Sequence, residues 1–237
     1  MEKIELKHCM DLDANDPLRE LRSEFLLAET GSIHFDANSM GAMPKTVPEK
    51  VAWMLNEGWR NLGRQGWSKL DWIDQPKKLG NGIAHLLGAL PEDVVVCDNT
   101  SINLHKLISY AWGIKNSGNT LLTESNHFPT DVYIAEGWIK SLKNYGVDAE
   151  IRFADSHEEL LDCLDENVAV VNVSYVDYRT SLRWDMGRLM QKAQEVGALV
   201  VWDLSHAAGA VEIDLMGNDA DFAVGCGYKY LCGGPGA

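Results

Sequence analysis

From Val94 onward, short apolar and β-branched runs alternate with longer stretches in which apolar residues recur at helical spacing. That alternation predicts an α/β fold built from βαβ units, with a mostly parallel sheet flanked by helices. The strands are expected at Val94–Cys97, Thr120–Thr123, Glu150–Phe153, Val168–Val173, Leu199–Trp202 and Phe222–Val224, and the helices between them at Ile102–Trp112, Asp131–Tyr145, His157–Cys163 and Met186–Val196. Upstream, Val47, Val51, Met54 and Leu55 predict a helix over Lys45–Arg60, and Leu79, Ile83, Leu86 and Leu87 predict another over Gln75–Leu87. Residues 1–45 read as an irregular arm carrying one helix, Pro17–Ala28, with Asp16 as N-cap and Pro17 at the first helical position. Residues 46–237 read as one large domain. Right-handed crossovers would put the polar strand ends on one edge of the sheet, beyond the carboxyl ends where ligands collect in such folds.

Composition narrows the classes of partner. With 46% hydrophobic and 24% charged residues in 237, and 7 Pro against 21 Gly, the chain can bury a large core and falls outside the disordered and fibrous classes. Its 21 Lys and Arg against 35 Asp and Glu leave a net charge of −14, which argues against nucleic acid and anionic membrane as partners. The first residues contain no apolar signal core, and the longest apolar runs, Val168–Val173 and Ala198–Trp202, are strand-sized. The expectation is a soluble cytoplasmic protein. Five scattered cysteines (Cys9, Cys97, Cys163, Cys226, Cys232) form no C-x-x-C pair, so they are expected reduced, mostly buried and without a metal.

Three segments could carry chemistry. Asp98-Asn99-Thr100-Ser101 ends a strand and opens a helix, where hydroxyls and free backbone N–H groups make either an anion site or an ordinary N-cap. Neither a P-loop nor a G-x-G-x-x-G fingerprint follows a strand, so nucleotides lose their usual mark. Val200 to His206 delivers Asp203 to a strand end with His206 three residues on; the carboxylate either pairs with a buried cation or caps the following turn. Lys229 lies between Tyr228 and Tyr230 among glycines just after an apolar strand, the setting of a desolvated Schiff-base lysine, though most loop lysines are only solvated. The order of hydroxyl-rich helix start, strand-end Asp and glycine-flanked Lys matches what pyridoxal phosphate requires for its phosphate, ring nitrogen and aldehyde.

Around these residues the sequence resembles the kynureninase family of the aspartate-aminotransferase-like, fold type I, pyridoxal-phosphate enzymes. The resembling blocks are Phe35 to Pro44, Gly66-Trp67 through Gln75-Pro76 to Ala89, Thr100 to His105, Phe128-Pro129-Thr130-Asp131, Val176 to Thr180, Asp203 to Ala207, and Tyr228-Lys229-Tyr230-Leu231. Cysteine desulfurases, also similar, usually carry His where Tyr228 stands. The resemblance implies a cofactor of pyridoxal phosphate joined to Lys229, which also moves protons at the substrate α-carbon, with Asp203 keeping the ring nitrogen protonated. It further implies Thr100 and Ser101 as phosphate ligands, Tyr228 as a phosphate or proton-transfer partner, His206 beside the ring and Phe128 stacked on it. Asp131 would face the cofactor or cap its helix, and Ser174 would lie on the side of the ring's 3-oxygen or be a plain strand end. Trp67, Trp72 and Asn38-Ser39 would shape an aryl pocket, or the tryptophans simply pack.

The implied reaction is hydrolytic Cβ–Cγ cleavage of kynurenine or 3-hydroxykynurenine to an anthranilate and alanine, in tryptophan catabolism on the route to NAD. The implied assembly is a homodimer with active sites at the interface. The alternatives are another fold type I lyase such as a cysteine desulfurase, or a homologue that binds the cofactor without turnover. The resemblance also implies an incomplete large domain: the sequence ends at Gly236-Ala237, no arginine for the substrate α-carboxylate can be assigned, and a C-terminal remainder is expected as a partner.

Overall fold

Every residue of Val168–Ser174 is buried, because this run is the middle strand of a five-stranded sheet covered on both faces. The computed structural model describes residues 4–29, 31–115 and 118–237. The helices in chain order are α1 (Leu6–Asn15), α2 (Val47–Trp53), α3 (Gly66–Lys69), α4 (Gln75–Leu87), α5 (Thr100–Ile114), α6 (Pro129–Asn144), α7 (His157–Asp162) and α8 (Met186–Val196). The strands are β1 (Phe25–Leu26), β2 (Met43–Pro44), β3 (Thr120–Glu124), β4 (Glu150–Ala154), β5 (Val168–Ser174), β6 (Leu199–Asp203) and β7 (Phe222–Val224).

The large sheet has the order β4-β3-β5-β6-β7 and is parallel throughout. Alternating side chains of its strands feed two cores. Leu121, Val170 and Val201 meet Leu104 and Ile108 of α5 and Ala135 and Ile139 of α6 on one face. On the other face, Leu122, Val171 and Val200 meet Leu160 of α7 and Leu189 and Met190 of α8. The chain leaves β3 toward β4 on one side and resumes at β5 on the other, so the loops after β3 and β5 diverge and open a crevice at the carboxyl edge.

Two expected elements are replaced. Pro17–Ala28 is not an α-helix. Asp16 does accept the N–H of Leu18, at 2.8 Å, but the chain then forms a short 3-10 helix, Arg19–Glu24, and pairs β1 antiparallel with β2, while the α-helix lies earlier, at α1. The hydrogen bonds of Phe25 and Leu26 to the strand across from them are incompatible with a helix continuing to Ala28. Val94–Cys97 is not a strand either. Val95 and Val96 are exposed, and the run packs on α4, where Val96 N–H donates to Pro76 O at 3.1 Å. A Cβ at Gly80 would lie 2.0 Å from Val94 O, so glycine is what allows that approach. The expected helix at Lys45–Arg60 is α2 continued by a π-helical segment, Met54–Leu62. Of the five cysteines only Cys226 is buried; Cys9 and Cys97 are exposed, which corrects the expectation of a mostly buried set. Among the described residues no helix is long and apolar enough to cross a membrane.

Candidate active site

The carboxyl ends of β3, β5 and β6 and the loop after β7 deliver a cluster of buried polar groups. Lys229 is 6% exposed, and its Nζ stands 2.8 Å from His206 Nε2. Burial, helped by the neighbouring Lys229 charge, pushes the His206 imidazole below its usual range. A neutral ring that accepts from an ammonium at Nε2 carries its proton on Nδ1. That Nδ1 is buried and has no partner.

Asp203 ends β6 and is 3% exposed. Its Oδ1 accepts the Ser205 N–H at 2.8 Å and closes the following turn, while Oδ2 accepts from Ser174 Oγ at 3.4 Å. Asp131, also 3% exposed, lies close enough to Asp203 to feel its charge. Burial and the Asp203 charge push the Asp131 carboxyl up to about 8, against the opposing pull of Lys229. Two carboxyl groups and one amine therefore share a buried site, in which the Asp203 charge opposes ionisation of Asp131 and the Lys229 charge favours it.

Thr100 and Ser101 begin α5, yet neither caps it. Asn99 does, its Oδ1 accepting the Ile102 N–H at 3.0 Å, which leaves the first-turn N–H groups of Thr100 and Ser101 available. Thr100 Oγ1 donates to Gly225 O at 3.0 Å and so ties the start of α5 to the segment leading to Lys229. The lysine loop is tied from the other side by Gly41, whose N–H donates to Tyr228 O at 2.8 Å. A Cβ on Gly41 would fall 2.1 Å from Lys229 O, so the Asn38–Gly41 turn reaches the loop only with glycine there.

Phe128 lies with its ring centroid 5.6 Å from Lys229 Nζ and 6.3 Å from the His206 ring. Tyr178 crosses Phe128 edge-on at 5.3 Å and stands 6.1 Å from His206, adding a third wall. The half-buried Tyr228 ring lies 5.8 Å from the same amine, and burial pushes its phenol above the usual range. Trp72 packs over Gly58 and Gly66 and meets Trp67 edge-on at 6.1 Å, so these tryptophans are engaged with their own segment.

The structure thus brings Lys229, Asp203, Asp131, Ser174, His206, Phe128 and Tyr228 together and ties Thr100 to the same loop, with Ser101 next to it on α5. Ser174 stands at the carboxylate end of the cluster, against Asp203 and His127. Two participants were not singled out from sequence: His127, whose buried Nδ1 lies 3.2 Å from Ser174 Oγ, and Tyr178. Each sits in a loop following a carboxyl strand end, the position that marks ligand contacts in this fold class.

A parallel three-layer sheet with an amine, a carboxylate pair and a free helix N-terminus at its carboxyl edge is the arrangement of a pyridoxal-phosphate enzyme. The chain belongs to the family Aminotransferase class-V, whose model matches residues 33–237, and pyridoxal phosphate is the cofactor of this group. It is 42% identical over 233 residues to a kynureninase from Pseudomonas fluorescens, covering 97% of this chain and 55% of that protein. A kynureninase from Burkholderia mallei is 39% identical over 235 residues, covering 98% of this chain and 56% of its own. The chain therefore spans about half the length of the curated relatives it matches. Among solved structures, a cysteine desulfurase from Escherichia coli superposes with a TM-score of 0.72 at 15% identity, over 89% of this chain and 54% of that one, a likeness of fold.

The residues present fit that cofactor. Asp131 Oδ2, buried without a hydrogen bond beside Asp203, and the first-turn N–H groups that α5 leaves available are what a protonated ring nitrogen and a phosphate would satisfy.

Proposed function

We propose that this chain carries the cofactor-binding part of an enzyme that hydrolyses the Cβ–Cγ bond of kynurenine or 3-hydroxykynurenine, giving anthranilate or 3-hydroxyanthranilate and alanine. The observation that carries the reading is the buried group of Lys229, His206, Asp203 and Asp131 in a chain 42% identical to a kynureninase. The bound cofactor would supply an electron sink for the charge released at the substrate's α-carbon. Lys229 would hold the aldehyde end and afterwards shuttle the α-proton, with His206 accepting from its Nζ and fixing where that amine points. Asp203, backed by Ser174 and Asp131, would hold the proton of the ring nitrogen. The first turn of α5, with Thr100 and Ser101, would take the phosphate, while Tyr228 would serve as a phosphate or proton-transfer partner. Phe128 would cover the ring, and together with Tyr178 it would keep bulk water from the reacting carbon.

The same reading makes residues 46–237 the cofactor domain, with the Asn38–Gly41 turn packed on its lysine loop. It assigns the substrate-carboxylate clamp to sequence outside these residues, and the setting to the cytoplasm. It makes the assembly a homodimer, for which the exposed Trp59 (71%) and Trp67 (54%) offer apolar contact. The test is product analysis with the cofactor-loaded protein: anthranilate fluorescence on adding kynurenine supports the reading. Sulfide from cysteine, with no anthranilate from kynurenine, replaces it with a desulfurase. A visible cofactor band without either product leaves a cofactor-binding homologue.

A further inference from the structure

A helix with an acidic residue in its first turn ordinarily spends that carboxylate on its own unpaired N–H groups. In α6, Asp131 holds the third helical position and Phe128 is the N-cap residue, yet no side chain caps the helix from Phe128. The Phe128 N–H is satisfied by the preceding side chain, donating to His127 Nδ1 at 2.8 Å.

That single contact fixes the state of the imidazole. A nitrogen that accepts from a backbone N–H carries no proton, so the neutral ring has its proton on Nε2. Ser174 Oγ, 3.2 Å from the same occupied Nδ1, is left to donate to Asp203 Oδ2 at 3.4 Å. His127 Nε2 is buried without a hydrogen bond and stands 3.5 Å from Asp131 Oδ2, which is likewise buried and unpartnered. The charged and titratable groups acting on this imidazole are Asp131 in the first turn of α6, Asp203 on β6 and Asp177 in the loop after β5; Lys229 faces Asp131 from the loop after β7.

We infer that His127 is a positioning residue with two duties: its Nδ1 relieves Asp131 of capping α6, and its Nε2–H holds the freed Asp131 carboxylate beside Asp203, against the nitrogen end of the cofactor ring. The inference rests on the cofactor reading above and adds to it a buried ring that acts through Asp131. Asp203, Ser174, His127 and Asp131 follow one another at 3.2–3.5 Å, so the imidazole stands between the serine that donates to one carboxyl and the unpartnered oxygen of the other.

Two amide replacements separate the duties, because Asn puts its terminal atoms where Nδ1 lies and Gln reaches the position of Nε2. In the cofactor-loaded protein, the readout is the pH midpoint of the cofactor's visible absorption band. His127→Asn keeps the cap and loses the donor to Asp131. With less negative charge held at the ring nitrogen, the ring keeps its proton less firmly, and the cofactor's remaining titrating group retains its own to higher pH. The midpoint rises by about one pH unit, the scale of one hydrogen bond to a charged group. His127→Gln restores the donor and returns the midpoint to the wild-type value, at the cost of a weaker helix start. An unchanged midpoint in His127→Asn overturns the inference, as does a shift that His127→Gln fails to reverse. ¹⁵N shifts of His127 in the unaltered loaded protein provide a test needing no variant: they place the proton on Nε2, and a proton on Nδ1 contradicts the assignment. A wild-type protein with no cofactor band at all would instead refute the cofactor reading itself.

Discussion

At Asp131 the cost of burial has a measurable sign. Its carboxyl is pushed from 3.8 up to about 8, so between those values the folded, cofactor-free protein holds a proton that the unfolded chain has released. Stability must fall as the pH rises through that window. Asp131→Asn removes the titration. The variant should exceed the wild type by about 2 kcal/mol at pH 8 in denaturant unfolding, with the difference fading toward pH 4; a pH-independent difference would contradict this account. The loaded protein should respond in the opposite sense, binding pyridoxal phosphate more weakly, because Asn brings no charge to the ring nitrogen. Lys229, Asp203 and His206 could be read from sequence because Asp203 ends, and the other two follow within a few residues, a short apolar run that forms a strand of the main sheet. The part played by His127 could not. It depends on contacts with Ser174 and Asp131, which only the pairing of β3 beside β5 and the turn into α6 bring within reach.

Glu124, which ends β3, shows how an element's end can carry its own pH dependence. It accepts from Trp184 Nε1 at 3.3 Å and lies 3.4 Å from His157 Nε2, and burial pushes its carboxyl up to about 7. The folded protein keeps that proton above the unfolded value of 4.5, so stability is lost as pH rises from there to about 7. Glu124→Gln should flatten this segment of the stability profile and raise the unfolding midpoint at pH 8 but not at pH 4. Close approach governs a second case, α4. Gly80→Ala ordinarily favours a helix by about 1 kcal/mol. Here the added Cβ would lie 2.0 Å from Val94 O, so the steric term wins and the variant should lose about 2 kcal/mol in thermal or denaturant unfolding. A gain in stability would mean that the Val94–Cys97 run does not sit on α4. The β-branched composition of that run fits a strand, but a strand needs a neighbour, and α4 occupies the place beside it. The Arg19–Leu26 stretch failed for the converse reason, since antiparallel pairing with Met43–Pro44 outweighed a local helical pattern with no buried face. The inner strands β5 and β6 were legible because parallel strands covered on both faces must be nearly continuous in apolar residues, whereas the edge strand β4, with Glu150 and Arg152 in it, was legible from its alternation.

For the molecule as a whole, the doubly wound sheet places its crevice where the loops after β3 and β5 part, and the site residues gather there without any metal-binding group among the described residues. With a net charge of −14, the proposed site would have to hold a small anionic cofactor by local donors, namely the α5 N-terminus and Lys229. Asn99→Ala should therefore cost about 1 kcal/mol of stability through the lost cap and weaken pyridoxal-phosphate binding as the helix start loosens, measured by equilibrium dialysis; unchanged binding would remove α5 from the phosphate site. Sedimentation of the loaded protein checks the proposed pairing of copies, with a dimer expected and a monomer across the micromolar range contradicting it.

The central claim is that one buried amine holds the cofactor. Borohydride reduction of the protein incubated with pyridoxal 5′-phosphate, followed by peptide mass mapping, tests it directly. The account predicts a single stable phosphopyridoxyl group, on Lys229, and none after Lys229→Ala; a label distributed over other lysines, or one that persists in that variant, would contradict it.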